Sequence, residues 1–526
     1  MASVLEALRF ALDLQERGDQ AAAETLFRRI LDAVPGEPAA ARCYASLLAG
    51  QGRFPQAASV ADLSIAADPA DAEGYLLLAR IRQAQGRVAA SAAAYRRALR
   101  LGAGGRELLF AYGFVSGVAG DADGFAEAVA RACAGCREEG WFWKTPYYLA
   151  FDLIERKRRE LSLEAMDRLL LPAADAAAGQ GRADIRDWLI FLQGLLRHER
   201  GGLPAARPFY EQAEASVPMV RHFCDGAGFA DRIAAVTPGM EAEYDATLRD
   251  HQGNRAGGAA ILCACDAAYF HRFAPLFVMS VEAFGEPGGP ASALHLHIVR
   301  PDAAVFATLD GLRARTSLRI NLSWEDGGHG LSGIMARSHL TAVRFLRAPA
   351  LASRYPEGMI VADIDGVFLG DPAAFLTSAP DDGGTPFDLG LVHGAGMLTY
   401  PYDGVAGGLL AARPTEAAMG YLRAVRRYLL HWLARGEMHY SLDQIAMLAA
   451  LEHAGGALRI GLIGRDQGSW RLGAGVYRPV FGQKNEDAFL RAVRDTAAGY
   501  WNDPGRLDAG RRAEHRRRLS ELIAPL

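Results

Sequence analysis

The stretch GDQAAAETLFRRILDAVP (Gly18 to Pro35) returns thirty-four residues later as GRFPQAASVADLSIAADP (Gly52 to Pro69), and again as GRVAASAAAYRRALRLG (Gly86 to Gly102). Gly120 keeps the same interval. That period belongs to a unit of two helices and a turn. Each glycine marks the turn, where the backbone can require a positive φ. Ala23 and Ala57, five residues on, are small enough for two helices to approach closely. Phe27 and Tyr95 fill the groove beside them, Ile30, Ala61 and Ala98 continue the apolar stripe, and Pro35 and Pro69 stop the second helix. Gly201 restarts the pattern with Ala206, Tyr210, Ala213 and Pro218.

Between Gly120 and Gly201 the phase is interrupted by WFWKTPYY (Trp141 to Tyr148), whose Trp141, Phe142, Trp143, Tyr147 and Tyr148 read first as inter-helix core and alternatively as an exposed binding patch. Cys133 and Cys136 form a lone C-x-x-C within helices and read as inert thiols rather than zinc or redox ligands. With its strong phase and weak consensus at the tryptophan and early-tyrosine positions, the segment 4–218 resembles the tetratricopeptide family. The resemblance implies a curved superhelix whose concave face takes a peptide, an acceptor or a partner protein. The alternative is a scaffold that packs on the rest of the chain or dimerises.

From about residue 219 the grammar changes. After the polar stretch DHQGNRAGG (Asp250 to Gly258) come short apolar runs: AAILCACD (259–266), ALHLHIV (293–299), LRINLSW (318–324), GMIVADID (358–365) and FDLGLVH (387–393). Helical stretches such as FAPLFVMSVEAF separate several of them. Alternating strands and helices predict a mainly parallel sheet covered on both faces, with ligands at the carboxyl ends of its strands. Cys263 and Cys265 alternate on the first strand and read as core.

Asp363 and Asp365 end the fourth of these runs. In an extended segment, residues two apart share a side, so both carboxylates would face one ion. Hard oxygen donors beside a diphosphate suit Mg²⁺ or Mn²⁺. The surrounding segment SHLTAVRFLRAPALASRYPEGMIVADIDGVFLGDPAAF (Ser338 to Phe375) resembles the nucleotide-sugar transferases of family 8 and their GT-A relatives. CDAAYFHRFAPLFVMSV (Cys265 to Val281), DGVAGGLLAARPT (Asp403 to Thr415) and YSLDQIAML (Tyr440 to Leu448) resemble further segments of those enzymes, in the same order. The likeness spans about residues 258–485.

That resemblance implies a GT-A fold, a nucleotide diphosphate sugar donor, UDP-linked, and a divalent cation. It assigns the cation to Asp363 and Asp365, the nucleotide base to Asp266 and Tyr269, diphosphate charge to Arg344, and the sugar or acceptor to Asp443 and Gln444. Two departures stand out. Ala406 and Gly407 occupy the neighbourhood of the acceptor-side asparagine. VFGQKNEDAF (Val480 to Phe489) keeps Gly482 and Lys484 of the segment that usually supplies a metal-binding histidine, so Lys484 is left to meet the phosphates as a point charge and no third protein ligand is identified. His393, alone at a strand end, reads as structural. Plain structural roles stand beside the functional ones: a helix cap for Asp266, a surface ion pair for Arg344, a first-turn acid for Asp443.

ADIDGVFLGD also resembles the opening of the haloacid-dehalogenase-type phosphatases, with Asp363 as nucleophile and Asp365 as acid. There the motif follows the first strand, whereas three candidate strands precede it here. A third reading is a non-catalytic repeat adaptor with a degenerate transferase domain.

The bulk properties bound all of this. A chain of 526 residues exceeds one ordinary core. Its net charge of −4 offers no basic field for nucleic acid. No apolar run reaches the length of a membrane span, and the first residues lack the succession of a secretory signal. Six cysteines are too sparse for a disulfide framework, so a cytoplasmic location is expected. The basic tail RLDAGRRAEHRRRLSELIAPL (Arg506 to Leu526) reads as a solvated helix, with contact to an anionic membrane surface as the alternative. The fold expected is of α + α/β class: a tetratricopeptide-like α-superhelix over 1–218, a helical linker over 219–257, a GT-A (Rossmann-like, mainly parallel sheet) glycosyltransferase domain over 258–500, and a basic helix over 501–526.

Overall fold

The computed structural model describes residues 4–224, 228–285, 293–327, 331–377, 387–393, 405–439, 441–463, 477–479 and 487–523. They form two compact units, Met1–Val220 and Arg221–Leu526.

The first unit is a run of antiparallel helix pairs: Val4–Glu16 with Gln20–Ala33, Pro38–Gly50 with Phe54–Ala67, Ala72–Ala84 with Val88–Arg100, and Arg106–Val118 with Ala122–Glu138. Alanine-rich sequence favours each helix, and aspartates start several of them. Asp19, Asp71 and Asp121 accept from the backbone N–H groups of Ala22, Glu73 and Gly124. Gly18, Gly52, Gly86 and Gly120 have φ of 85°, 73°, 72° and 72°. A Cβ at any of them would meet nothing within 4 Å, so conformation and not space demands glycine. Ala23, Phe27, Ile30, Ala57, Ala61, Tyr95 and Ala98 are all buried, as the phase requires.

At the fifth repeat the positive φ falls one residue later than the spacing predicts, at Gly202 (φ 70°), where it breaks Ala183–Ala213. Ala206, Tyr210 and Ala213 are buried in phase. The aromatic stretch divides. Tyr147 is buried, 5.1 Å from the Trp188 ring, and Trp141 closes over Gly135, where a Cβ would come within 2.6 Å of its ring. Phe142, Trp143 and Tyr148 stay exposed at 56, 42 and 44 %, so for these three the core reading fails. Cys133 is buried and burial pushes its thiol up to about 11, as an inert thiol requires.

The second unit holds strands β1 (Arg249–Asp250), β2 (Ala260–Asp266), β3 (Ala293–Val299), β4 (Arg319–Glu325), β5 (Met359–Ala362), β6 (Gly366–Phe368), β7 (Leu389–His393), β8 (Val405–Ala412), β9 (Ile460–Ile463) and β10 (Tyr477–Pro479). Eight form one mixed sheet in the order β1-β4-β3-β2-β5-β8-β7-β9, and β10 pairs with β6 apart from it. β4, β3, β2 and β5 run parallel; β8 opposes both neighbours. From β2 the chain builds outward through β3 and β4, then crosses back to lay β5 on β2's other side. The order therefore reverses between β2 and β5, the position at whose carboxyl ends sheets of this kind bind their ligands.

The two faces of β2 to β4 differ. Ile261, Cys263, Cys265, Leu294, Leu296 and Ile298 enter an apolar core with Phe270, Phe273 and Phe277 of helix Ala267–Phe284. The opposite face of β3 and β4 carries His295, His297, Asn321, Ser323 and Glu325, every one buried. The stretch expected to be a linker belongs to this unit. Helices Phe229–Ala234 and Pro238–Ala246 pack on helix Glu416–Leu433, with Arg426–Asp245 and Arg427–Glu241 ion pairs of 2.7 and 2.8 Å, and β1 joins the sheet edge. Buried Tyr244 and Arg232, which a linker would leave in water, anchor them.

The basic tail also turns inward. In helix Ala509–Ile523, His515, Leu519 and Ile523 are buried. Arg512 and Arg516 donate to the carbonyl of Ala283 at 2.8 and 2.6 Å, which places cations at the negative end of helix Ala267–Phe284. Arg517 and Arg518 pair with Glu514 of their own helix.

Candidate functional site

Arg344 sits on helix Gly333–Ala352 and is buried. Its Nη1 lies 2.7 Å from Asp363 Oδ1, at the end of β5. Its Nη2 lies 3.2 Å from Asp443 Oδ2, in the first turn of helix Leu442–Ala454, and donates to the Gly407 carbonyl at 2.9 Å. One guanidinium thus joins three elements at the carboxyl end of β5. The two glycines of β8 make the room. A Cβ on Gly407 would lie 3.2 Å from Asp443 Oδ2 and 3.3 Å from Arg344 Nη2, and one on Gly408 would lie 3.1 Å from Asp363 Oδ2. Gly366, after the aspartate pair, has a similar reason: a Cβ there would overlap the Tyr477 hydroxyl, which donates to the Asp363 carbonyl at 2.9 Å.

Electrostatically the centre is tense. Burial opposes the charge on Arg344, and the carboxylates of Asp363 and Asp443 outweigh it, raising the guanidinium further. Burial pushes the Asp443 carboxyl above the usual carboxylate range, with Arg344 pulling the other way. Ser441, two residues before Asp443, has φ 71°, strained for a residue other than glycine. Among the described residues the buried Nε–H of Arg344 has no hydrogen-bond partner.

The structure brings Arg344, Asp363, Asp443 and Gln444 together, and places Asp365 on the turn beside them. Three readings change. The aspartate pair is not on an extended strand: β5 ends at Ala362, Ile364 is drawn into the core, and the Gly366 N–H donates to the Asp363 carbonyl at 3.3 Å, closing a turn. Arg344 is a buried clamp, not a surface ion-pair partner. Gln444 spends its side-chain amide on the Val405 carbonyl at 3.1 Å. Asp266 takes its plain role, capping helix Ala267–Phe284 by accepting from the Tyr269 N–H at 2.8 Å, while the Tyr269 ring leans on Phe273 at 5.4 Å. Lys484 and Gly482 lie outside the described residues, as does the side chain of His393, whose backbone pairs with Val405.

The larger omission from the sequence reading is the polar face of the sheet. Tyr355 Oη, His295, Ser323, His297 and Glu325 form a continuous chain with steps of 2.6, 2.7, 2.9 and 3.3 Å. Fully buried Arg347 ends it, donating through Nε to Glu325 Oε2 at 3.0 Å and through Nη1 to the Tyr244 carbonyl at 2.9 Å, with its guanidinium 3.9 Å from the Tyr244 ring centre. Arg347 stands one helical turn from Arg344, so the helix that presents the site is pinned to the sheet by a second of its arginines. The signal was present as polar residues at every second position of HLH and NLSWE.

Donor chemistry bears on the expected cation. Asp363, about a third exposed, and the part-exposed Asp365 offer hard oxygens, matching a Mg²⁺ held by one or two carboxylates plus substrate phosphates. Among the described residues no cluster of three His, Cys, Asp or Glu side chains could hold a metal by itself. Nor, among them, is any helix long and apolar enough to cross a membrane.

No protein-family model and no curated protein matches the chain. Solved structures similar to it include tetratricopeptide and MamA proteins. A MamA double mutant is 21 % identical, with TM-score 0.25, over 27 % of this chain and 79 % of that one. YrrB, described as a tetratricopeptide protein with an unusual peptide-binding site, is 14 % identical, with TM-score 0.23, over 37 % and 94 %. A thermophilic tetratricopeptide protein of Thermus thermophilus is 18 % identical, with TM-score 0.21, over 41 % and 100 %.

Proposed function

We propose that the second unit is a glycosyltransferase that moves a sugar from a nucleotide diphosphate sugar, UDP-linked, to a protein or glycan acceptor, and that the repeats recruit the acceptor or a partner. The observation that carries this reading is the buried Arg344 clamped between Asp363 and Asp443 outside the β2/β5 reversal, where an α/β sheet binds its ligand. Negative charge grows on the departing diphosphate, and the fixed positive charge of Arg344 beside the aspartate pair would offset it. Asp363 and Asp365 would hold Mg²⁺ or Mn²⁺, which supplies further charge neutralisation at the leaving group. Asp443 fixes the guanidinium from the acceptor side, and Gln444 holds the start of β8 in place.

Nucleotide release from a panel of nucleotide sugars with Mn²⁺ tests this. Asp365→Ala is expected to lower release by about a hundredfold, in line with losing one charge-stabilising group. Release unaffected by that substitution, or phosphate release from generic esters, would overturn it. The exposed Phe142, Trp143 and Tyr148 favour a second reading, an adaptor working through the repeats alone. It predicts no turnover with any nucleotide sugar.

A further inference from the structure

Away from that centre, a concavity of about 280 Å³ lies between helix Ala267–Phe284 and helix Asp487–Trp501. Arg272, Arg315 and Arg494 converge on it from three different elements, and no residue lining it is acidic. Among the described residues none of the three makes an ion pair: Arg315 donates only to the Gly311 carbonyl, at 2.9 Å. Several other surface arginines are paired. Arg17, Arg156, Arg423 and Arg517 each have a carboxylate within their own helix or its first turns. Three unpaired cations in one hollow, on a chain of net charge −4, repel one another and focus a positive potential there.

The floor has another character. Trp501 is fixed by its indole N–H donating to the Pro275 carbonyl at 3.0 Å, and Val493 packs beside it. The Arg315 guanidinium stands 5.9 Å from the Trp501 ring centre. Lining residue His271 engages the Asp302 carboxylate at 3.1 Å. We propose that this hollow is a second ligand site, for a phosphate or diphosphate ester with an apolar or planar group. Guanidinium groups match phosphate oxygens in pairs, and the indole and aliphatic floor covers the organic part.

The test uses the full chain in EDTA, so that no cation assists the carboxylate centre. Phenyl phosphate is titrated calorimetrically, and sedimentation with phosphatidylcholine vesicles containing phosphatidylglycerol reads a lipid source of the same chemistry. The expected result is saturable binding, weakened about tenfold or more in Arg272→Gln/Arg494→Gln and reduced by added salt, with far-UV circular dichroism unchanged. The single variant Arg494→Gln should fall between the two. Binding of phenyl phosphate alone assigns a soluble ester; vesicle binding lost in the double variant assigns a lipid headgroup. If neither probe distinguishes the variants from the native chain, the site does not exist.

Discussion

The two units solve the burial problem in opposite ways. The repeat unit buries alanine against alanine and aromatic rings in small, local contacts, and among its described residues Arg158 and Asp187 are the charged groups that are buried. The sheet unit buries ionised and polar groups outright: Arg344, Arg347, Glu325, Asp443 and two strand histidines. A repeat core tolerates loss because each piece touches only its neighbours. A buried ion network does not, because removing one partner strands the other in a low dielectric.

The sharpest way to break that contrast is Arg347→Ala. Buried Glu325 would lose its arginine and keep only its contacts with His297, His339 and the Tyr244 hydroxyl, at a cost of about 3 kcal/mol. Hydrogen-exchange mass spectrometry should show loosening across 238–246, β4 and helix Gly333–Ala352, with peptides from residues 4–220 unmoved; uniform loosening would contradict the division.

Acid should separate the units next. Burial holds His222 and His295 neutral in the fold down to about 3, well below their ordinary 6.5. Unfolding therefore takes up protons, so stability declines as pH falls from about 6.5 toward 3. At pH 5.5 each histidine is expected to cost about 1.4 kcal/mol. The repeat unit carries one histidine, His198, and should hold its exchange protection between pH 7 and 5.5.

Two smaller tests fall within the repeats. Gly117→Ala places a Cβ against Leu153 Cδ2 where helices Arg106–Val118 and Thr145–Lys157 meet, an overpacking worth about 1–3 kcal/mol by chemical denaturation. Gly86→Ala meets open space but keeps a φ of 72°, so only backbone strain of about 1 kcal/mol should appear. Equal effects would mean that contact and conformation are not distinct constraints here.

The same contrast explains what was legible. A periodic array advertises itself, because every unit repeats one packing solution; Gly18, Ala23 and Phe27 state it and later units repeat it. The aspartate-tipped strand was equally plain, since apolar run and polar end coincide. Long-range pairing was not. Nothing local to Arg344 says that Asp443, ninety-nine positions on, will meet it, and nothing near Glu282 announces Tyr500 and Arg506. The turn at Ile364 escaped because alternation assumes a strand that continues. The supposed linker escaped because amphipathic residues far from their partners look like solvent-facing helix.

Arg344 and Arg347 also set a rule for anyone rebuilding this molecule. They leave one helix one turn apart, the first toward Asp363 and Asp443 and the second into the sheet. A chimera that transplants helix Gly333–Ala352 alone would carry the lever without its fulcrum. The portable module is the helix together with β4 and the preceding 238–246 segment, and a graft cut anywhere inside that set should misalign the clamp even where every one of its residues is preserved.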